Sequence, residues 1–319
     1  GVSVAAAVGV NASVATTVAS IGAGRKITSA DGALNVRSQA QTDGSAKADG
    51  SQSDPGKTTD VGVGAAVALN VGVSTNVASI SDNADVDTKG VTVSATIPTG
   101  EKSDYSAEAK SGAGAGNVGV AGSLAANVVV NTTVAAIEGD KDTSGKGADV
   151  NAGTGDITIA ASNATTSTVK SGASVTGSGT DAKVGVGASV GLNVGVNTTV
   201  AEIQKDAVVT GGNNLTLTSK SDHTMATDVT GGAKGANISV TPVVAVTVGV
   251  NTTAADLGSG PGLDIEGTYG MAAEQTSTKT TTATGQTEGG KVGVGASIAL
   301  GIATDTVTAT VSRDIDAAK

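Results

Sequence analysis

Residues 184–203 read VGVGASVGLNVGVNTTVAEI. Val184, Val186, Val190, Leu192, Val194, Val196 and Val200 occupy odd positions, and the positions between them carry Gly, Ser, Asn, Thr or Ala. Alternation at a period of two is the signature of a β-strand. On a helix the same valines would encircle the axis instead of marking one face.

The segment recurs. The same 20-residue pattern occupies Val2–Ile21, Val61–Ile80, Val118–Ile137, Val184–Ile203, Ile238–Leu257 and Val292–Val311, without an internal gap. Its third position is Val in every copy (Val4, Val63, Val120, Val186, Val240, Val294), and its seventh is always aliphatic, from Val8 to Ile298. Successive copies begin 59, 57, 66, 54 and 54 residues apart, so residues 1–319 read as one repetitive segment with insertions between copies. Fixed-period self-similarity is the mark of a stacked array.

The even face of the motif is uncharged and almost without bulk. Gly weakens a strand, so its recurrence needs a reason, and close approach of a second backbone is the usual one. That face is therefore expected to be buried, the alternative being a flat surface that nothing covers. Position ten is Asn11, Asn70, Asn127 and Asn193 in the first four copies. Because Asn accepts corner conformations, the long strand is expected to turn there. The aliphatic rows are expected to stack internally, so that Asp at Val186 or Val190 would leave a charge in an apolar stack.

After each motif a turn leads to a shorter strand: Leu34 and Val36, Val91 and Val93, Ile157 and Ile159, Leu215 and Leu217, with a degenerate fifth copy at Met271 and Ala273. A Ser/Thr/Ala stretch and a Gly-rich corner close the unit, giving four or five strands per repeat and no helix. About 54 residues fall short of the roughly 100 of a β-sandwich, so each unit must cover the next. The expected fold is all-β, a parallel right-handed β-solenoid. The position-fifteen Thr, from Thr16 to Thr306, and the Asn residues suit ladders between coils.

Composition agrees with a thin core. The chain has no Phe, Trp or Cys, two Tyr, two Met and 47 Gly, and its apolar content is carried by small aliphatics. Disorder would explain a Gly/Ser/Thr-rich chain but not its periodicity. A net charge of −10 argues against a nucleic-acid partner, since phosphate binding needs clustered Lys and Arg. No run approaches the roughly 20 apolar residues of a membrane helix, and a transmembrane barrel would need aromatic girdles. Without Cys there are no disulfides from which to read a redox compartment. The start at Gly1 without Met suggests a piece of a longer protein.

The motif at Val184–Ile203, followed by the strand at Asn213–Ser219, resembles a repeat of very large secreted proteins of Gram-negative bacteria. It is similar to the repeat region of filamentous leukotoxin-type adhesins, relatives in style of filamentous haemagglutinin. The resemblance covers essentially the whole chain and is periodic rather than catalytic. It implies a right-handed parallel β-helix, export to the cell surface or beyond, and a fibre or stalk. Copies five and six depart from the pattern at Pro242, Val243, Gly301 and Asp305.

Little points to chemistry, and no catalytic, cofactor-binding or metal-binding residue is assigned. The one histidine, His223, lies in a polar stretch and reads as a solvated surface residue. Asp82, Asp85 and Asp87 cluster, as do Asp140 and Asp142, but neither group matches a Ca²⁺ loop, so both read as solvated turn acids. Gly62-Val63-Gly64 is not followed by a helix on which a phosphate would sit. The Asn-Thr-Thr triplets at 131, 197 and 251 have the glycosylation pattern, but in a bacterial protein a hydrogen-bonded ladder accounts for them better. Alternating threonines from Thr276 to Thr284 form a row in one repeat only.

The function expected is that of a non-catalytic structural or adhesive fibre segment outside the cell. A toxin or carbohydrate-binding module is the alternative, and a polysaccharide-cleaving β-helix a third reading. The expected partners are further copies or coils added end to end, and a host-cell or matrix surface.

Overall fold

The computed structural model describes residues 1–52, 60–140, 146–177, 183–235 and 237–318. The first coil holds β1 (Val2–Ile21), β2 (Lys26–Thr28), β3 (Leu34–Gln39) and β4 (Gly44–Ser51). The second holds β5 (Val61–Ile80), β6 (Asp85–Asp87), β7 (Val91–Thr96) and β8 (Ser103–Ala115). The third has β9 (Val118–Ile137), β10 (Asp149–Asn151) and β11 (Ile157–Gly177), and the fourth β12 (Val184–Ile203), β13 (Val208–Thr210) and β14 (Leu215–Gly235). The fifth has β15 (Ile238–Leu257), β16 (Leu263–Ile265) and β17 (Tyr269–Gly289), and β18 (Val292–Val311) and β19 (Ile315–Ala317) complete the described strands.

Each strand pairs in parallel with its counterpart one repeat away, so one repeat is one coil of a parallel β-solenoid. The long motif strands form one six-stranded sheet in the order β1-β5-β9-β12-β15-β18, here called the front sheet. The β17-β14-β11 strands, continued by β7 with β3 and β8 with β4, form the back sheet. The short strands β13-β10-β6-β2 form a narrow third sheet along one side, and β16 pairs separately with β19. Later coils therefore carry three strands. The first two carry four, because the back strand is broken around Ala40–Asp43 and Ile97–Lys102. The front sheet ends in two edges, β1 and β18, and does not close into a barrel.

The long strand does not turn at position ten. All 20 residues are one strand, and Asn70, Asn127 and Asn193 point inward with no exposure. Asn is held extended because its side chain is occupied along the axis. Asn11 Nδ2 donates to Asn70 Oδ1 at 2.6 Å, and Asn70 Nδ2 donates to Asn127 Oδ1 at 2.8 Å. The left-handed corners fall past the strand end, at Gly24, Asn83 and Asp206, three residues beyond Ile21, Ile80 and Ile203. Asn and Asp are the non-Gly residues that accept that conformation most readily.

The cross-section tapers. At the start of the front strands the two sheets approach to backbone contact. A Cβ on Gly62 would lie 2.0 Å from the Gly114 carbonyl oxygen, and one on Gly187 would lie 2.2 Å from that of Gly232. This is the close approach that the small even positions require. At the other end the three sheets enclose an aliphatic cluster that includes Ile80, Ile137, Ile203, Leu257, Val93, Ile159, Leu217, Val86 and Val150. The thin core is thus narrow at one side and hydrophobic at the other.

Candidate functional site

Parity decides what each face of the front sheet does. In β5 and β12 the even positions, which carry Gly, Ala, Ser and Asn with Thr199 among them, are buried against the back sheet, and the Val and Leu at odd positions point outward together with Ala65 and Ala188. The aliphatic rows expected to stack inside therefore form the outer surface. Val190 and Leu124 are each 40% exposed in interior coils, and Val67 is 37% exposed. Val186, expected to be buried, is half-buried on the same face.

In-register pairing turns each motif position into a row along the axis. The seventh-position row Val8–Val67–Leu124–Val190–Val244–Ile298 stands as a ridge. The fifth-position row beside it is Ala6–Ala65–Gly122–Ala188–Pro242–Ala296, a shallow groove, and nothing lies within 4 Å of a Cβ placed on Gly122. Pro242 has no N–H to donate, and the β12–β15 ladder passes from Val186–Val240 to Ser189–Val243 across it. No outward position from one to seventeen carries a charge in any coil, and the first charges are Glu202 and Asp256 at position nineteen. These positions span about 53 Å by about 24 Å, roughly 1,300 Å², given ~3.3 Å per residue and ~4.8 Å between strands. The largest apolar patch on a typical monomer is about 300–600 Å².

The back sheet's outer face is the opposite in character. Lys47, Glu108, Lys170 and Asp228 are successive partners in one row, alternating in sign from coil to coil. Lys220–Glu274 at 3.3 Å and Lys234–Glu288 at 2.9 Å repeat the arrangement. A shallow depression of about 300 Å³ on this face is lined by Glu108, Lys110, Lys170 and Asp228, where charges of both signs are interleaved. The Thr276–Thr284 row lies on this face too, on edge strand β17. Its β14 neighbours include Asp222, Ala226 and Asp228, so no threonine array extends across coils.

His223 is buried, not solvated. It is 2% exposed, sits in β14 between Thr165 and Ser277, and its Nδ1 has no hydrogen-bond partner. Burial pushes its pKa down to about 4, with Asp222 opposing and Lys279 assisting. Nearby, a second polar chain runs through the interior. Asn131 donates to Asn197 at 2.9 Å, Asn197 to Asn251 at 2.8 Å, and Asn251 to Asp305 at 2.7 Å. Lys279 Nζ then meets both Asp305 oxygens at 2.9 Å. The three triplet asparagines are thus ladder residues, 3%, 3% and 1% exposed. The position-fifteen threonines lie on the outer face instead.

The acidic groups do not converge. Asp85 pairs with Lys26 at 2.6 Å and Asp87 accepts from Asn151 at 3.0 Å, both on the short sheet, while Asp82 is buried in the corner. Asp140 has an interaction partner, and Asp142 lies outside the described residues. Among the described residues no group of three or more His, Cys, Asp or Glu is placed to hold a metal ion. Gly62 and Gly64 are strand residues facing Gly114 and Gly112. No helix among the described residues is long and apolar enough to cross a membrane.

Fold and surface together define a parallel β-solenoid of five coils and a partial sixth, with one wide apolar face and one charge-laddered face. No family model, curated protein or solved structure matches the chain. The apolar face was the feature hardest to see in the sequence. Its signal is that a strand uncharged on both faces must show one of them to the outside when only one second layer exists to cover it.

Proposed function

We propose that the chain is a non-catalytic structural and adhesive segment of a large secreted bacterial surface protein, acting outside the cell. The observation that carries this reading is the in-register pairing of every long strand with its counterpart one repeat away, interrupted only where the β12–β15 ladder crosses Pro242. Such a unit is additive along one axis, and the open edges β1 and β18 can each accept another coil. A coil of 54–66 residues adds only about 4.8 Å along the axis, while each long strand spans about 66 Å across it. That geometry offers broad surface more than reach, which supports adhesion as the principal role and a stalk as the secondary one.

The test is a solid-phase binding panel of extracellular-matrix proteins and host-cell glycans, with release of reducing ends from acidic polysaccharides measured in parallel. Saturable binding to a panel member without polysaccharide turnover is expected. Turnover, or the absence of binding to every panel member, overturns the proposal.

A further inference from the structure

We propose that the outer face of the front sheet is a pairing surface for a second copy of this chain, with two solenoids lying face to face. This goes beyond end-to-end growth, because it uses the sheet's face and not its edges.

The face is large enough to pair. A two-fold axis parallel to the solenoid axis, placed at motif position six, sets the strands of the two copies antiparallel and each coil opposite its equivalent. Positions one to eleven then overlap, covering about 33 Å by about 24 Å, or roughly 800 Å² on each partner, from ordinary strand dimensions. The total of about 1,600 Å² is the size of a standard specific interface. The overlap contains no charge in any coil, so no ion is desolvated without a partner.

The face is also self-complementary in shape. The same axis places position seven of one copy opposite position five of the other. Val190 and Leu124, both 40% exposed, then enter the partner's groove at Ala188 and Gly122, and the partner's ridge enters in return. A surface that carries its own complement is what an isologous dimer needs.

The chemistry of the face disfavours the other occupants. A lipid surface is bound by aromatic anchors and basic rims. The chain has no Trp or Phe, its two Tyr lie in back-sheet strands, and the first charges at the end of the face are the acids Glu202 and Asp256. The face also lacks the aromatic rings on which sugars stack.

The experiment is sedimentation equilibrium of the purified chain over a wide concentration range, beside the Val190→Glu and Ala188→Glu variants and a Thr224→Glu control on the back sheet. A mass that stops at twice the chain mass is expected, with dissociation at least tenfold easier in both face variants and unchanged in the control. Because the chain has no cysteine, Ala188→Cys and Val190→Cys proteins can also be mixed and joined with a short bis-maleimide. Cross-linking of the mixed pair in preference to either protein alone is expected. A wild type that stays monomeric and floats with neutral phosphatidylcholine vesicles overturns the proposal in favour of a lipid surface. A mass that climbs without limit and is insensitive to Val190→Glu overturns it in favour of edge addition alone. Failure of the mixed cross-link overturns the stated register whatever the folding of the glutamate variants.

Discussion

Gly72 and Tyr105 share one space: a Cβ added to Gly72 in the front sheet would lie 2.2 Å from Cε1 of the Tyr105 ring in the back sheet. Tyr105 is 1% exposed, its hydroxyl donates to Asn131 Oδ1 at 3.3 Å, and burial pushes its pKa up to about 12. Gly195 beneath Met225 and Gly191 beneath Val229 repeat the relationship in the fourth coil. Gly72→Ala is expected to cost about 1–3 kcal/mol through overpacking. In a double-mutant cycle with Tyr105→Leu the two costs should be non-additive, since the smaller side chain vacates the contested volume. Urea unfolding of the four proteins measures this.

The interior Asn chain gives a second expectation. Asn197→Ala leaves the Asn131 donor and the Asn251 acceptor without their coil-to-coil partner in a buried row. The expected loss is about 1–3 kcal/mol, the penalty for orphaned buried polar groups. Thr198→Ala, one residue away on the outer face, should cost well under 1 kcal/mol. Equal losses in the two variants would show that the asparagines are not linked.

Much of this architecture was legible in the chain. The six repeat starts coincide with the observed front strands, because parallel stacking makes one coil's sequence a template for the next. The inside and outside of the front sheet were less legible, because hydrophobicity ranks Val above Gly whereas fit decides burial. The groups that fill the hollows above Gly72 and Gly195 are Tyr105 and Met225, which sit in back-strand stretches that read as polar. Asn70 was misread as a corner because its coil-to-coil hydrogen bond depends on a residue 57 positions away. The burial of His223 did have a local signal. Leu215, Leu217, Ser219, Ser221 and His223 share one parity, and the two leucines fix that parity as inward.

His223 should also make stability depend on pH. Its folded pKa, pushed down to about 4 by burial, lies below the unfolded value near 6.5. Well above pH 6.5 both states are neutral and no penalty exists. As pH falls from 6.5 towards 4 the unfolded chain binds a proton that the folded chain refuses, and stability is lost. The loss approaches roughly 3 kcal/mol at the lower limit. His223→Gln should flatten the pH dependence of the urea midpoint between pH 6.5 and 5, a range above most carboxylate titration. An unchanged slope would place the sensitivity elsewhere.

Aspartate substitutions should separate the two sides of the front sheet. Val190→Asp, on the outer face, is expected to cost about 1 kcal/mol in the dilute single chain because its carboxylate remains in water. Ile203→Asp places the charge in the fully buried aliphatic cluster and should cost several kcal/mol. Limited proteolysis of the Ile203 variant should cut first in the fourth coil and its neighbours, as expected where each coil contacts only the next.

The row Lys47–Glu108–Lys170–Asp228 bears on how such a chain can change length. Removing the second coil would set Lys47 against Lys170, and removing the third would set Glu108 against Asp228. Like charges directly opposite in a sheet are unfavourable by up to about 1 kcal/mol, in a row where neighbouring coils otherwise set opposite signs side by side. Removing both coils restores opposite signs, with Lys47 beside Asp228. With respect to this row the array has a parity, and loss or gain of repeats would be tolerated more readily in twos than in ones.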